Sequence, residues 1–103
     1  MAISTVSVTT VGNTVYTSSG NTAITWLSLN NWGPANVTAN VFTVPSGGTA
    51  GTSNQIAYAL LLQSGDTYQI YAGNEKLLLS NGDFVAVDAT ANTISAVTSY
   101  TSV

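Results

Sequence analysis

The chain has 103 residues, of which only five are charged (Asp66, Glu75, Lys76, Asp83 and Asp88), and its net charge is −3. A single lysine cannot neutralise a phosphate backbone or an anionic bilayer, so nucleic acid and membrane are excluded as partners. Without histidine or cysteine the chain lacks the usual proton-transfer groups, nucleophiles and soft metal ligands, so no enzyme activity, cofactor or metal site is expected.

The length fits one domain. Threonine (16 residues), serine (12) and asparagine (10) dominate the polar composition, and 45% of the chain is hydrophobic. Threonine is stiff at χ1 and suits half-buried strands, while serine and asparagine suit turns, so the composition reads as all-β and not as disorder. No run approaches the ~20 apolar residues of a membrane helix. The first residues, Met1-Ala2-Ile3-Ser4-Thr5, have neither the positive region nor the apolar stretch of a signal peptide.

In chain order, Ile3–Val11 alternates valine with hydroxyl residues and predicts a strand that stops at a Gly12-Asn13 turn. Val15–Thr17 is a short strand closed by Ser18-Ser19-Gly20-Asn21. Thr22–Asn30 sets Ala23, Thr25, Leu27 and Leu29 on one face and Ile24, Trp26 and Ser28 on the other. With apolar residues on both faces it should be central or doubly covered, and Trp26 should lie in the core. Asn31-Trp32-Gly33-Pro34 signals a turn, Asn36–Val44 alternates, and Pro45 stops it. From Pro45 to Asn54 the sequence predicts an exposed, flexible loop longer than an ordinary hairpin connection. Gln55–Gln63 contains a continuous apolar run that fits a helical turn or a buried strand, with strand preferred. Thr67–Tyr71 alternates and Ala72–Glu75 is a turn; Lys76–Leu79, Phe84–Ala89 and Thr93–Val103 complete about eight strands. The expected architecture is one domain over residues 1–103, an antiparallel β-sandwich or jelly roll. Residues 1–11 would form a strand or arm that contacts a neighbouring subunit.

An internal echo runs through the second half. Leu60-Leu61-Leu62-Gln63-Ser64-Gly65-Asp66 returns seventeen positions later as Leu77-Leu78-Leu79-Ser80-Asn81-Gly82-Asp83. Both copies read as an apolar run, a Gly-Asp turn and an alternating strand, which shared turn chemistry explains more simply than duplication. Asp66 and Asp83 follow turn glycines, where a carboxylate bonds backbone N–H groups, so they are read as structural and not as metal or catalytic groups. Asn81-Gly82 is also a hairpin dipeptide. No Asp-x-Asp-x-Asp-Gly calcium loop is present, no serine has a base beside it, and Gly47, Gly48 and Gly51 lack the lysine and helix of a phosphate loop.

What remains is a surface. Trp32 in its turn is a candidate anchor for a partner. The segments Ile3–Val11 and Thr93–Val103 are long, alternating and nearly free of charge, and one of them is expected to pair with a neighbouring subunit. The candidate interface residues are Ile3, Val6, Val8, Val11, Trp32, Pro45, Gly47, Gly48 and Val103.

Four segments together carry a resemblance: Thr22–Asn30, Val41-Phe42-Thr43-Val44-Pro45-Ser46-Gly47-Gly48, Ser64-Gly65-Asp66-Thr67-Tyr68 and Glu75-Lys76-Leu77-Leu78-Leu79-Ser80-Asn81-Gly82-Asp83. With a Ser/Thr-rich final strand, Ala96–Val103, they resemble the small β-sandwich virion structural proteins of tailed bacteriophages, of the cyanophage and marine-phage type. The resemblance spans about Thr22–Val103 and leaves out Ile3–Val11. It implies a virion component without catalytic residues, in capsid decoration, neck or tail. The leading expectation is thus a non-enzymatic capsid decoration or cement subunit bound to the major capsid protein lattice. It would self-associate, with a trimer as one arrangement, and reach the virion by assembly in the host cytoplasm. A tail, neck or fibre subunit and a carbohydrate-binding module using Trp32 are the alternatives.

Overall fold

The computed structural model describes residues 2–70 and 77–103. The alternating runs within them become nine strands: β1 (Ala2–Val8), β2 (Asn13–Thr17), β3 (Thr22–Asn31), β4 (Val37–Val44), β5 (Gln55–Leu62), β6 (Thr67–Ile70), β7 (Leu77–Leu79), β8 (Phe84–Ala89) and β9 (Ile94–Ser102). Each strand-like segment of the sequence corresponds to one of them. The apolar run 55–62 is a strand, as preferred. The expected Ala72–Glu75 turn and the Glu75-Lys76 pair lie outside the described residues.

All pairings are antiparallel. The first sheet runs β1-β9-β3-β6, with β7 also paired to β3; the second runs β2-β8-β4-β5. Their facing sides bury one core, including Val8, Ile24, Leu27, Leu29, Ile94 and Ala96 from the first sheet and Val15, Val37, Val41, Leu62, Val85 and Val87 from the second. The domain is therefore an antiparallel β-sandwich. Only β4–β5 and β6–β7 follow one another within a sheet; every other connection crosses between sheets. Asn81-Gly82 thus belongs to an arch from β7 in one sheet to β8 in the other, not to a hairpin.

Two expectations about the strands need correction. The Thr93–Val103 segment is not an edge: β9 is paired along its length, to β1 on one side and β3 on the other. In β3 the register against β9 shifts between Ile24 and Trp26. Thr25 is the extra residue, and its hydroxyl donates to the Ser99 carbonyl at 3.1 Å. A one-residue bulge reverses the side-chain alternation, so Ile24 and Leu27 both enter the core while Trp26 is left half-buried outside it.

The echoed turns are equivalent in detail. Gly65 and Gly82 have φ of 84° and 87°, the left-handed region that glycine enters without penalty. Each aspartate N–H closes its turn, Asp66 onto the Gln63 carbonyl and Asp83 onto that of Ser80. Each carboxylate then accepts the N–H at the start of the turn, Gln63 to Asp66 and Ser80 to Asp83, both at 2.9 Å. Each turn also grips one buried polar residue from another strand end by two backbone bonds. Asn31 donates to the Asp66 carbonyl and accepts from Gly65; Ser18 donates to the Asp83 carbonyl and accepts from Gly82. The match extends one step further, since Ser64 donates its hydroxyl to the Gly33 carbonyl and Asn81 accepts the Gly20 N–H. Two clasps thus tie the ends of the sandwich.

Asn31 is the most heavily used side chain in this network. It is fully buried, donates to the carbonyls of Ala35 and Leu62, and accepts from Gly33 N–H and the Thr93 hydroxyl. Two of its side-chain bonds close its own turn, at Gly33 and Ala35, and two reach distant chain, at Leu62 and Thr93, so the buried amide is fully satisfied.

Candidate interaction surface

The sheet edges and the loops between them decide which side chains are free. β1 is an outer strand of the first sheet and projects Ile3, Thr5 and Ser7 to solvent. Of the residues singled out on this segment, Ile3 is exposed and Val6 is half-buried. Val8 is 0% exposed and belongs to the core, which removes it from any interface. Val11, in the β1–β2 turn, is 90% exposed. Val103 is exposed beside Leu78, its N–H bonded to the Asn21 carbonyl.

Trp32 is 60% exposed, although its backbone N–H is fixed to the Thr93 carbonyl. The ring stands outside the fold because its neighbours on both sides are pinned: Asn31 by the buried network and Gly33 against Thr93. A Cβ at position 33 would lie 2.7 Å from the Thr93 Cβ, so glycine is required there.

The loop from Pro45 to Asn54 is exposed, as expected, but it is also stapled. Ser46 N–H donates to the second oxygen of Asp83 at 2.9 Å, which ties the loop to the 80–83 turn. Asn54 accepts from Gly51 N–H and donates to the Thr49 carbonyl, and its own carbonyl accepts Thr43 N–H. Gly48 lies so close to the strand end that a Cβ there would come within 3.1 Å of the Pro45 carbonyl oxygen and 3.2 Å of Val44, tighter than an ordinary contact. The loop thus folds back over the outer face of the second sheet, where Phe42 is 8% exposed although it points away from the main core. Between this loop and the β1–β2 turn lies a groove of about 420 Å3 lined by Val11, Gly48, Phe42, Phe84, Ala86 and Asp88, among others. Val11 and Gly48, far apart in the chain, meet here. Pro45 lies instead by a smaller hollow with Leu77 and Leu79. Ile3, Trp32 and Val103 stand at separate places, so the nine candidate residues do not form one patch.

Sequence reasoning missed the most apolar strand surface. β5 is an outer strand of the second sheet, and Ile56, Tyr58 and Leu61 along it are exposed, Tyr58 by 73%. Ala57, Leu60 and Leu62 face the core instead. This division depends on Ala59, whose φ of 51° lies in the left-handed region and whose N–H is held by the Asn40 side-chain carbonyl at 2.8 Å. The pairing of β4 with β5 shifts register twice here. An unbroken apolar run does not reveal a bulge, so the exposed half was indistinguishable from core. Tyr68 and Leu78, on β6 and β7, are exposed as well.

The described carboxylates are occupied. Asp66 and Asp83 bond their own turns, and Asp88 accepts from the Asn40 amide at 2.7 Å. The Asn40 amide therefore joins the Ala59 bulge to the one carboxylate that lines the groove. Among the described residues no three of His, Cys, Asp and Glu converge. What this surface can do is make contacts: it offers exposed aliphatic and aromatic side chains in a setting of hydroxyls and amides. No protein-family model, curated protein or solved structure matches the chain.

Proposed function

We propose that the chain is a non-enzymatic structural subunit of a tailed-phage particle that decorates the capsid by binding the major capsid protein lattice. The observation that carries the reading is the exposed, uncharged apolar surface of β5, with Ile56, Tyr58 and Leu61 side by side along one outer strand. Contiguous exposed apolar surface marks a contact site, and a protein with so little charge resists association poorly unless neighbours cover it. The resemblance of Thr22–Val103 to small virion sandwiches supplies the particle. A neutral contact avoids the desolvation of charges, which is costly unless they are well paired.

Co-sedimentation with undecorated capsids tests the reading. Attachment should persist as ionic strength rises, since screening acts on charges and not on apolar contacts. Leu61→Lys should weaken it. Release at moderate salt, or no attachment at all, would sink the proposal. Copy number in purified particles separates capsid from tail or neck: hundreds of copies fit a lattice, and only a few place the chain in the tail, neck or fibre.

A further inference from the structure

A sandwich must guard the free edges of its sheets, because an unpaired strand edge recruits another strand. Three of the edges here are guarded. β2 is five residues long and its register with β8 shifts between Thr14 and Tyr16. β5 carries the Ala59 bulge and two register shifts. The side of β3 opposite β9 is shared by two short strands, β6 and β7, of four and three residues. β1 has none of these devices. Its seven residues run in unbroken register with β9, without proline, glycine, charge or bulge. Among the described residues β9 is its sole ladder partner.

The side chains of β1 fit the same picture. Ser4, Val6 and Val8 share the core-facing side, yet only Val8 is fully buried; Ser4 and Val6 are half-buried. Their residual exposure lies where the first sheet stops.

We infer that β1 pairs antiparallel with β1 of a second copy, about a two-fold axis at Thr5, joining two five-stranded sheets into one of ten strands. A second copy is the occupant because the strand is self-complementary. Pairing about Thr5 sets Ile3 opposite Ser7 and Thr5 opposite Thr5 on the outer side, and Ser4 opposite Val6 on the inner side. The Thr5–Thr5 pair brings two hydroxyls together, a favourable cross-strand pair, and like charges would be unfavourable. None arises: each copy carries a net charge of −3, but the described carboxylates lie in the arches (Asp66 and Asp83) and on the second sheet (Asp88). An isologous pair is closed by its own two-fold axis. It takes the place of the trimer considered from the sequence. The inference goes beyond the capsid proposal and does not rest on it.

Light scattering on the purified chain at high micromolar concentration provides the test, with Thr5→Lys and Ser7→Lys on β1 and Leu61→Lys on β5 as a control edge. Each substituted residue is exposed, and a thermal melt verifies folding of each variant. The wild type should have twice the 10.5 kDa monomer mass, each β1 variant should fall to the monomer mass, and Leu61→Lys should remain paired. A monomeric wild type overturns the inference. So does a pair that survives both β1 variants, or one that only Leu61→Lys dissolves. Capsid attachment is read separately, so a monomer that still binds capsids refutes the pairing and leaves the capsid proposal standing.

Discussion

Thr98 sits at the centre of β9 with its side chain in the core, level with Ser4 of β1 and Leu27 of β3. It is 0% exposed, and its hydroxyl has no hydrogen-bond partner among the described residues. The hydroxyl of Ser4, opposite it on β1, donates to the Val15 carbonyl at 2.8 Å and makes no bond to Thr98. A buried hydroxyl without a partner costs about 1–3 kcal/mol. Valine has nearly the same shape and no polar atom, so Thr98→Val should remove most of this penalty without opening a cavity. The expected gain is roughly 1–2 kcal/mol, since the site relaxes in part around the hydroxyl. In a domain of this size ~1 kcal/mol moves the melting midpoint by about 4–8 °C, so Thr98→Val should melt roughly 4–15 °C higher. Thr98→Ser keeps the hydroxyl and loses the methyl, and should lose about 1 kcal/mol. Urea unfolding followed by tryptophan fluorescence reads both variants, with Trp26 and Trp32 as reporters. A Thr98→Val midpoint at or below that of the wild type, at unchanged m-value, refutes the reasoning: the hydroxyl would then have a partner, such as a buried water.

Asn31→Ala removes four bonds and strands the buried groups they served, so it should cost about 2–4 kcal/mol in the same unfolding assay, among the largest single losses in the chain. The two echoed turns should respond differently to alanine. At Gly65 a Cβ meets open space, whereas at Gly82 it runs into the Ser46 side chain; Gly65→Ala should cost about 1–2 kcal/mol from its positive φ alone, and Gly82→Ala measurably more. Asp83→Ala should likewise exceed Asp66→Ala in thermal melts, because Asp83 also holds Ser46, and hydrogen exchange at Ser46 should quicken only in the Asp83 variant. Ala59→Gly relieves a left-handed alanine and should leave stability equal or raise it by up to about 1 kcal/mol; a clear loss would mean that the Ala59 methyl packs usefully.

The strands were legible because period-two alternation and turn glycines are local signals. Val37–Val44 and Phe84–Ala89 fall where alternation put them, and Asp66 and Asp83 do in their turns what a carboxylate after a turn glycine should. Bulges were not legible. Thr25 and Ala59 carry no residue signature of a bulge, yet each redirects its neighbours, Trp26 out of the core and Ile56, Tyr58 and Leu61 into solvent. Sheet membership was equally hidden, because it depends on partners distant in sequence: Thr93–Val103 reads as well for an edge as for the interior strand it is. Trp32 was recognisable from its turn, whereas Val11 reads in sequence as the end of a strand and lies instead in the β1–β2 turn, because β1 stops at Val8. The groove that joins Val11 to Gly48 was not recognisable, since only the folded-back 45–54 loop creates it.

The strand order has a consequence for how the chain reaches its fold. β9 is the hub of one sheet, flanked by β1 and β3, and β8 is the hub of the other, flanked by β2 and β4. Both hubs are synthesised after every strand that depends on them. A nascent chain that has emerged as far as β7 can form the local β4–β5 hairpin and the pairings of β3 with β6 and β7, but β1 and β2 have nothing to pair with. Such non-local topologies fold slowly, on the millisecond-to-second scale. The domain should therefore form after its last two strands leave the ribosome, and until then the bare edge of β1 waits unpaired.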